Sequence, residues 1–237
     1  MDVARQNPDM FRPAGIALAT IVLASVGLAA PPVSKPTVAI LTFDYSGKNA
    51  GLEPLREGLA QMLIADVSQV ANVQVVERTR LAALLEEQKL GQSGKIDPAS
   101  AARIGKLLGA RFLVLGNYFD LASSMRIDAR VIEVETGKIV RAVGVNGASS
   151  DFFALEQELA GKLGDVLTAA LPEASKPSTV TRPKPPRVKS TTVATYGRAL
   201  LALDRGRKDE AKKLLKDVVT EAPGFALAKS DLNALLQ

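Results

Sequence analysis

Carboxylates, amines, guanidinium groups and hydroxyls are the reactive groups this sequence offers. Histidine, cysteine and tryptophan are all absent from its 237 residues. That removes imidazole acid–base catalysis, thiol nucleophiles, disulfides, and zinc or thiolate clusters built on His or Cys. Asp44 ends an apolar run, at the place where α/β sheets present ligand groups; a lone Asp there also caps turns, and turn capping is the reading we adopt. Glu77 and Arg78 stand where a strand enters a helix and suit pairing or capping. Glu86 and Glu87 read as a solvated helix face, because paired-carboxylate chemistry needs convergence in space. Asp120, Asp128 and Arg130 fall on the wet side of an antiparallel meander, with no metal-ligand pattern. Gly47-Lys48 and Gly94-Lys95 lack both the following Ser or Thr and the upstream Gly of a phosphate loop. No G-x-S-x-G, kinase or Rossmann signature occurs. The residues therefore assign no catalytic, cofactor-binding or metal-ligating side chain, and we expect a protein that is not an enzyme and carries no cofactor.

The elements that must hold these groups follow from hydrophobic spacing. Thr37–Phe43 is a continuous apolar run, the mark of a strand buried on both faces. Leu52, Leu55, Leu59, Met62, Leu63, Val67 and Val70 recur at helical spacing and predict a helix with one face on a core. Val73–Val76 predicts a second strand, and Leu81, Leu84 and Leu85 a second helix, broken by Gly91–Gly94. Asp97-Pro98 opens a third helix with Ala101, Ile104, Leu107 and Leu108, stopped at Gly109. Phe112–Leu115 is a buried strand. Ser124–Val134 alternates, with Met125, Ile127, Ala129 and Val131 against Arg126, Asp128 and Arg130. Residues Glu135–Lys138 make a hairpin turn into a strand over Lys138–Val145. Ser150 or Asp151 caps a last helix bearing Phe153, Leu155, Leu159, Leu163, Val166 and Leu167. The order β-α-β-α-α-β-β-β-α implies an α+β or mixed α/β layer, with a central sheet covered by helices and a C-terminal antiparallel meander.

Charge and composition divide the chain into four parts. Residues 1–30 read as an export signal: Pro13–Ser34 holds no charge, and the apolar run Ala14–Ala30 falls short of the ~20 residues that span a bilayer. Cleavage is expected near Ala29 or Ala30, the alternative being an uncleaved anchor; both place the rest outside the cytoplasm. The second part, residues 36–171, is the main domain, and residues 35–171 are near neutral, with 15 basic and 16 acidic groups. Residues 172–192 carry 5 basic groups and 1 acidic one among repeated prolines, the composition of an extended linker. Its basic side chains suit a solvated spacer, or attraction to anionic headgroups or an acidic partner. In residues 193–237 Ala199, Ala211 and Pro223 fall 12 apart, matching the small–small–Pro positions of one tetratricopeptide unit; a plain helical hairpin accounts for them equally. With 4% aromatic residues and a near-neutral main domain, nucleic acid is not an expected partner.

Five short runs in the main domain carry a family resemblance. They are Val75–Arg78, Leu84–Gln88, Gly105–Ala110, Leu113–Gly116 and, in the hairpin, Thr136–Val140. In that order, behind an export signal, they resemble the CsgG-type family, the curli secretion channel component and its relatives of the bacterial envelope. The resemblance covers about 135 residues. The same residues leave open the amino-terminal domain of the TolB translocation protein, which has a similar layout. Channel members of the family resemble this core but carry inserted membrane hairpins, and outer-membrane strands need about 9–11 residues each. Here Leu121–Ser124 and Asn146–Ser150 are too short for such inserts, Tyr45–Gly51 is too short for a pore constriction, and the lipoprotein cysteine is missing. The resemblance thus implies a non-enzymatic periplasmic scaffold, associated with the outer or inner membrane, in secretion, surface-fibre assembly or envelope maintenance. Its expected partners are envelope proteins and further copies of itself, with membrane contact through an uncleaved N-terminus or the basic linker. Two alternatives remain at this level: a ring-forming channel subunit whose barrel another chain supplies, and a carboxylate-only hydrolase of the periplasm acting through Asp44.

Overall fold

The computed structural model describes residues 35–87, 98–171 and 187–237. The export signal with its cleavage site, the Gly91–Gly94 break, Lys95, the Asp97 cap and linker residues 172–186 lie outside the described residues.

Strand β1 (Thr37–Ile40) is shorter than its apolar run, yet Leu41 and Phe43 stay buried. The backbone bends after Ile40 and resumes as β2 (Asp44–Tyr45), which pairs in parallel with a later strand. The Phe43 ring takes the space beside Gly116, where an added Cβ would lie 2.4 Å from it. A 3-10 turn over Ala50–Leu52 leads into α1 (Leu55–Val70), so Leu52 packs from the turn and not from the helix. Next come β3 (Gln74–Val75), α2 (Arg78–Glu87) and α3 (Pro98–Leu108). In α3 the buried pair is Ile104 and Leu108, four apart on one face; Leu107, counted with the apolar residues of this helix, is 50% exposed because it points about 100° away from Leu108.

The meander follows as β4 (Phe112–Leu121), β5 (Ser124–Glu133) and β6 (Ile139–Ala148); β4 and β6 are longer than expected, and β5 stops one residue before the end of its alternating run. The six strands form one mixed sheet in the order β3-β1-β4-β5-β6, with β2 beside β4. β3, β1 and β4 run parallel, while β4–β5 and β5–β6 are antiparallel. On β5 the expected alternation holds: Met125, Ile127, Ala129 and Val131 are buried, and Arg126 and Arg130 are exposed. The other face of the parallel half packs on α2 and α3 through Ala39, Leu41, Leu81, Ile104 and Leu113.

The main core lies between the sheet, α1 and α4 (Phe152–Ala169). Asp151 makes no side-chain cap for α4; the Phe152 amide instead donates to the Val188 carbonyl at 2.9 Å. That bond already ties the C-terminal helices to the sheet domain. They are α5 (Ser190–Asp204), α6 (Lys208–Glu221) and α7 (Ala226–Ala234). Helix α5 lies across α1, whose second face is therefore also covered. The crossing is close because two glycines meet there. A Cβ on Gly197 would lie 1.8 Å from the Pro54 carbonyl oxygen, and one on Gly58 would lie 2.7 Å from Val193. Phe225, between α6 and α7, stacks edge-on against Phe153 of α4 and tilted against Tyr196 of α5, each at 4.8 Å between centroids. The described residues form one compact unit.

Candidate functional site

Two polar clusters gather Asp44, Asp120 and Arg78 from the residues singled out above. The first sits where β1, β2 and β4 end. Asp44 lies at the end of the bend, 3.9 Å from the Arg56 guanidinium, which also donates to the Thr42 hydroxyl at 3.2 Å. The Tyr45 hydroxyl donates to Asp120 and accepts from the Asn49 amide at 2.9 Å. Asp120 is not on the wet side of the meander. It lies two residues from buried Tyr118 on the same strand, and alternate residues share a face. Tyr118 donates to the Leu52 carbonyl at 2.7 Å, which fixes the entry to α1. Burial, then the bond to Asp120, pushes the Tyr45 phenol up to about 12. Burial also raises Tyr118. The loop 46–51 folds over this cluster, and each of these polar groups serves a structural bond.

The second cluster joins α1 and α2 to the tail. Arg78, 6% exposed, donates through both terminal nitrogens to Asp204 on α5, at 2.6 and 2.8 Å. Glu57 on α1 stands 3.8 Å away. Burial raises the Glu57 carboxyl above the ordinary range against the opposing pull of Arg56 and Arg78. For Arg78, burial acts to lower its pKa, but Asp204 and Glu57 outweigh it and the guanidinium is held more firmly charged. Tyr196 on α5 donates to Asp231 on α7 at 2.7 Å, and burial raises its phenol as well. Arg78 thus pairs, as its position at the helix start suggests, but with a residue 126 positions away. Asp204 and Asp231 carry no local motif that marks them.

Above the second cluster a cleft of about 480 Å³ opens between α2 and the helices α5 and α7. Glu77 and Glu86 stand on its α2 side. Glu87, Asp128 and Arg130 are not drawn into either cluster: Glu87 and Arg130 are exposed, and Asp128 pairs on the open sheet face with Arg126 at 2.9 Å. Gly47 and Lys48 lie in the loop over the first cluster. No group of three or more His, Cys, Asp or Glu side chains suited to a metal ion occurs among the described residues, and none of their helices is long and apolar enough to cross a membrane.

Residues 20–123 match the family model of the curli production assembly/transport component CsgG. The match runs from before β1 to the β4–β5 turn; the Thr136–Val140 run lies beyond it. A curated relative is "Putative adenylate cyclase 3" of Rhizobium meliloti (strain 1021), 23% identical over 202 residues. The aligned region is 85% of this chain and 33% of that protein, so the chain spans about a third of the relative's length. Among solved structures, the LpoB C-terminal domain from Salmonella enterica is similar with a TM-score of 0.37 and 16% identity, covering 50% of this chain and 87% of that one. TolB from Acinetobacter baumannii is similar with a TM-score of 0.37 and 14% identity, covering 60% and 29%. The PelC dodecamer from Paraburkholderia phytofirmans gives 0.37 and 16%, covering 58% and 91%.

Proposed function

We propose, from the match of residues 20–123 to the CsgG family model, that this protein is a non-enzymatic assembly protein of the bacterial envelope. It works in the periplasm, associated with the outer or inner membrane, and binds protein partners in secretion, surface-fibre assembly or envelope maintenance. The family match carries this reading, since the family is one of assembly and transport components. The first cluster is compatible with it: Asp44, the carboxylate at the strand end, sits beside the Arg56 guanidinium at 3.9 Å.

Cyclase activity, which the name of the curated relative states for that protein, is not part of the proposal, because the aligned region is a third of that protein. Two measurements test the reading. Fractionation of cells expressing the tagged full chain should recover it in the envelope, crosslinked to envelope proteins. Recovery as a free cytosolic protein overturns the proposal. Incubation with ATP and a divalent cation should yield no cyclic nucleotide, and steady accumulation sinks the non-enzymatic part. Self-association belongs to the same proposal and is read from the solution mass of the full chain by light scattering.

A further inference from the structure

The cleft between α2 and the tail has a composition that selects its occupant. Its apolar lining comes from Ala82 and Ala83 on α2 and Leu200 and Leu203 on α5. Four carboxylates and one guanidinium line it, a formal excess of three negative charges. The guanidinium is Arg78, whose terminal nitrogens are already bonded to Asp204. Glu77 and Glu86 are exposed and hold no ion pair among the described residues. The volume, about 480 Å³, falls in the range of preformed ligand sites, roughly 300–1,000 Å³.

Apolar lining beside two carboxylates that hold no ion pair among the described residues is complementary to a long cationic side chain, which lays methylenes on apolar surface and keeps its charged head among acceptors. A purely apolar segment would cover the carboxylates without pairing them, and an acidic one would meet like charge. We propose that this cleft docks a Lys- or Arg-bearing peptide segment of a partner protein, its stem on Leu200, Leu203 and Ala83 and its cation facing Glu77 and Glu86. The partner's existence rests on the assembly reading; its chemistry rests on the cleft.

The test uses the full chain and a fluorescein-labelled peptide of alternating Lys and Leu pairs, with its Glu-for-Lys counterpart as control, read by anisotropy. The Lys peptide should bind saturably, weaken with added salt, and bind more tightly than the Glu peptide. The double variant Glu77→Gln, Glu86→Gln alters two exposed side chains, keeps the fold, and should weaken binding about 3- to 10-fold. Ala83→Arg, which places a cation in the cleft, should weaken it similarly. Absence of saturable binding, or equal affinity in both variants, overturns the cleft. If the cleft fails while crosslinks to envelope proteins persist, the assembly reading stands and the partner docks elsewhere; if both fail, the assembly reading falls too.

Discussion

At the strand ends and at the helix junction the same kinds of groups meet: a tyrosine, an arginine and several carboxylates. The strand-end cluster is tied by bonds between residues at most 75 positions apart, and the loop between β2 and α1 bonds back onto it while Asp44 and Arg56 stay partly exposed. The helix-junction cluster is tied by a bond across 126 positions, draws Asp204 and Asp231 from the tail, buries Arg78 and borders a cleft. A loop that begins within a site can fold back and bond to it. Rigid helices that meet at an angle bond where they touch and leave a gap where they diverge. The strand-end cluster fastens the entry to α1, and the helix-junction cluster fastens the tail beside a cleft that reaches solvent.

The contrast can be broken most forcefully at Arg78. Arg78→Met removes the cation between Glu57 and Asp204 and leaves two carboxylates facing each other; it should cost about 3–5 kcal/mol and lower the thermal midpoint. Near-wild-type melting would mean that the tail is held by packing alone. Gly197→Ala tests that packing directly. Its Cβ would meet the Pro54 carbonyl, and a shift of α5 should cost about 1–3 kcal/mol, with faster hydrogen exchange in α5. At the strand-end cluster Tyr45→Phe removes one bond to Asp120 and should cost about 1 kcal/mol in a urea titration. A loss as large as that of Arg78→Met would make the strand ends the keystone instead.

The smallest effect is one of pH. Glu57 holds its proton more tightly in the folded chain than in the unfolded one. Its contribution is present below the ordinary Glu value and is lost as pH rises from there through the raised value. Glu57→Gln should flatten that part of the stability–pH curve, measured by denaturation at a series of mildly acidic pH values. An unchanged slope would show that Glu57 is as well solvated as in the unfolded chain.

The main domain was legible along the chain because its signals are periodic. β5 alternates with period two, and α3 places Ile104 and Leu108 one turn apart; both patterns survive into the structure. Where the pattern was incomplete the reading went astray. Leu107 belongs to the apolar count of α3 but not to its buried face. Asp120 was placed with Asp128 although their strands present them to opposite faces. α1 looked one-faced because Gly58, in the middle of its second contact, carries no hydrophobic signal at all.

By itself the sequence determined the element order apart from β2, the absence of His, Cys and Trp chemistry, and the resemblance that the family-model match over residues 20–123 bears out. These depend on residue type and near-neighbour spacing, which local physics can read. Only the tertiary structure decided that the tail lies against α1, that Arg78 pairs with Asp204, and that Glu77 and Glu86 border a cleft. Those contacts join positions more than 100 residues apart, and they exist only once two glycines let α5 approach α1 closely.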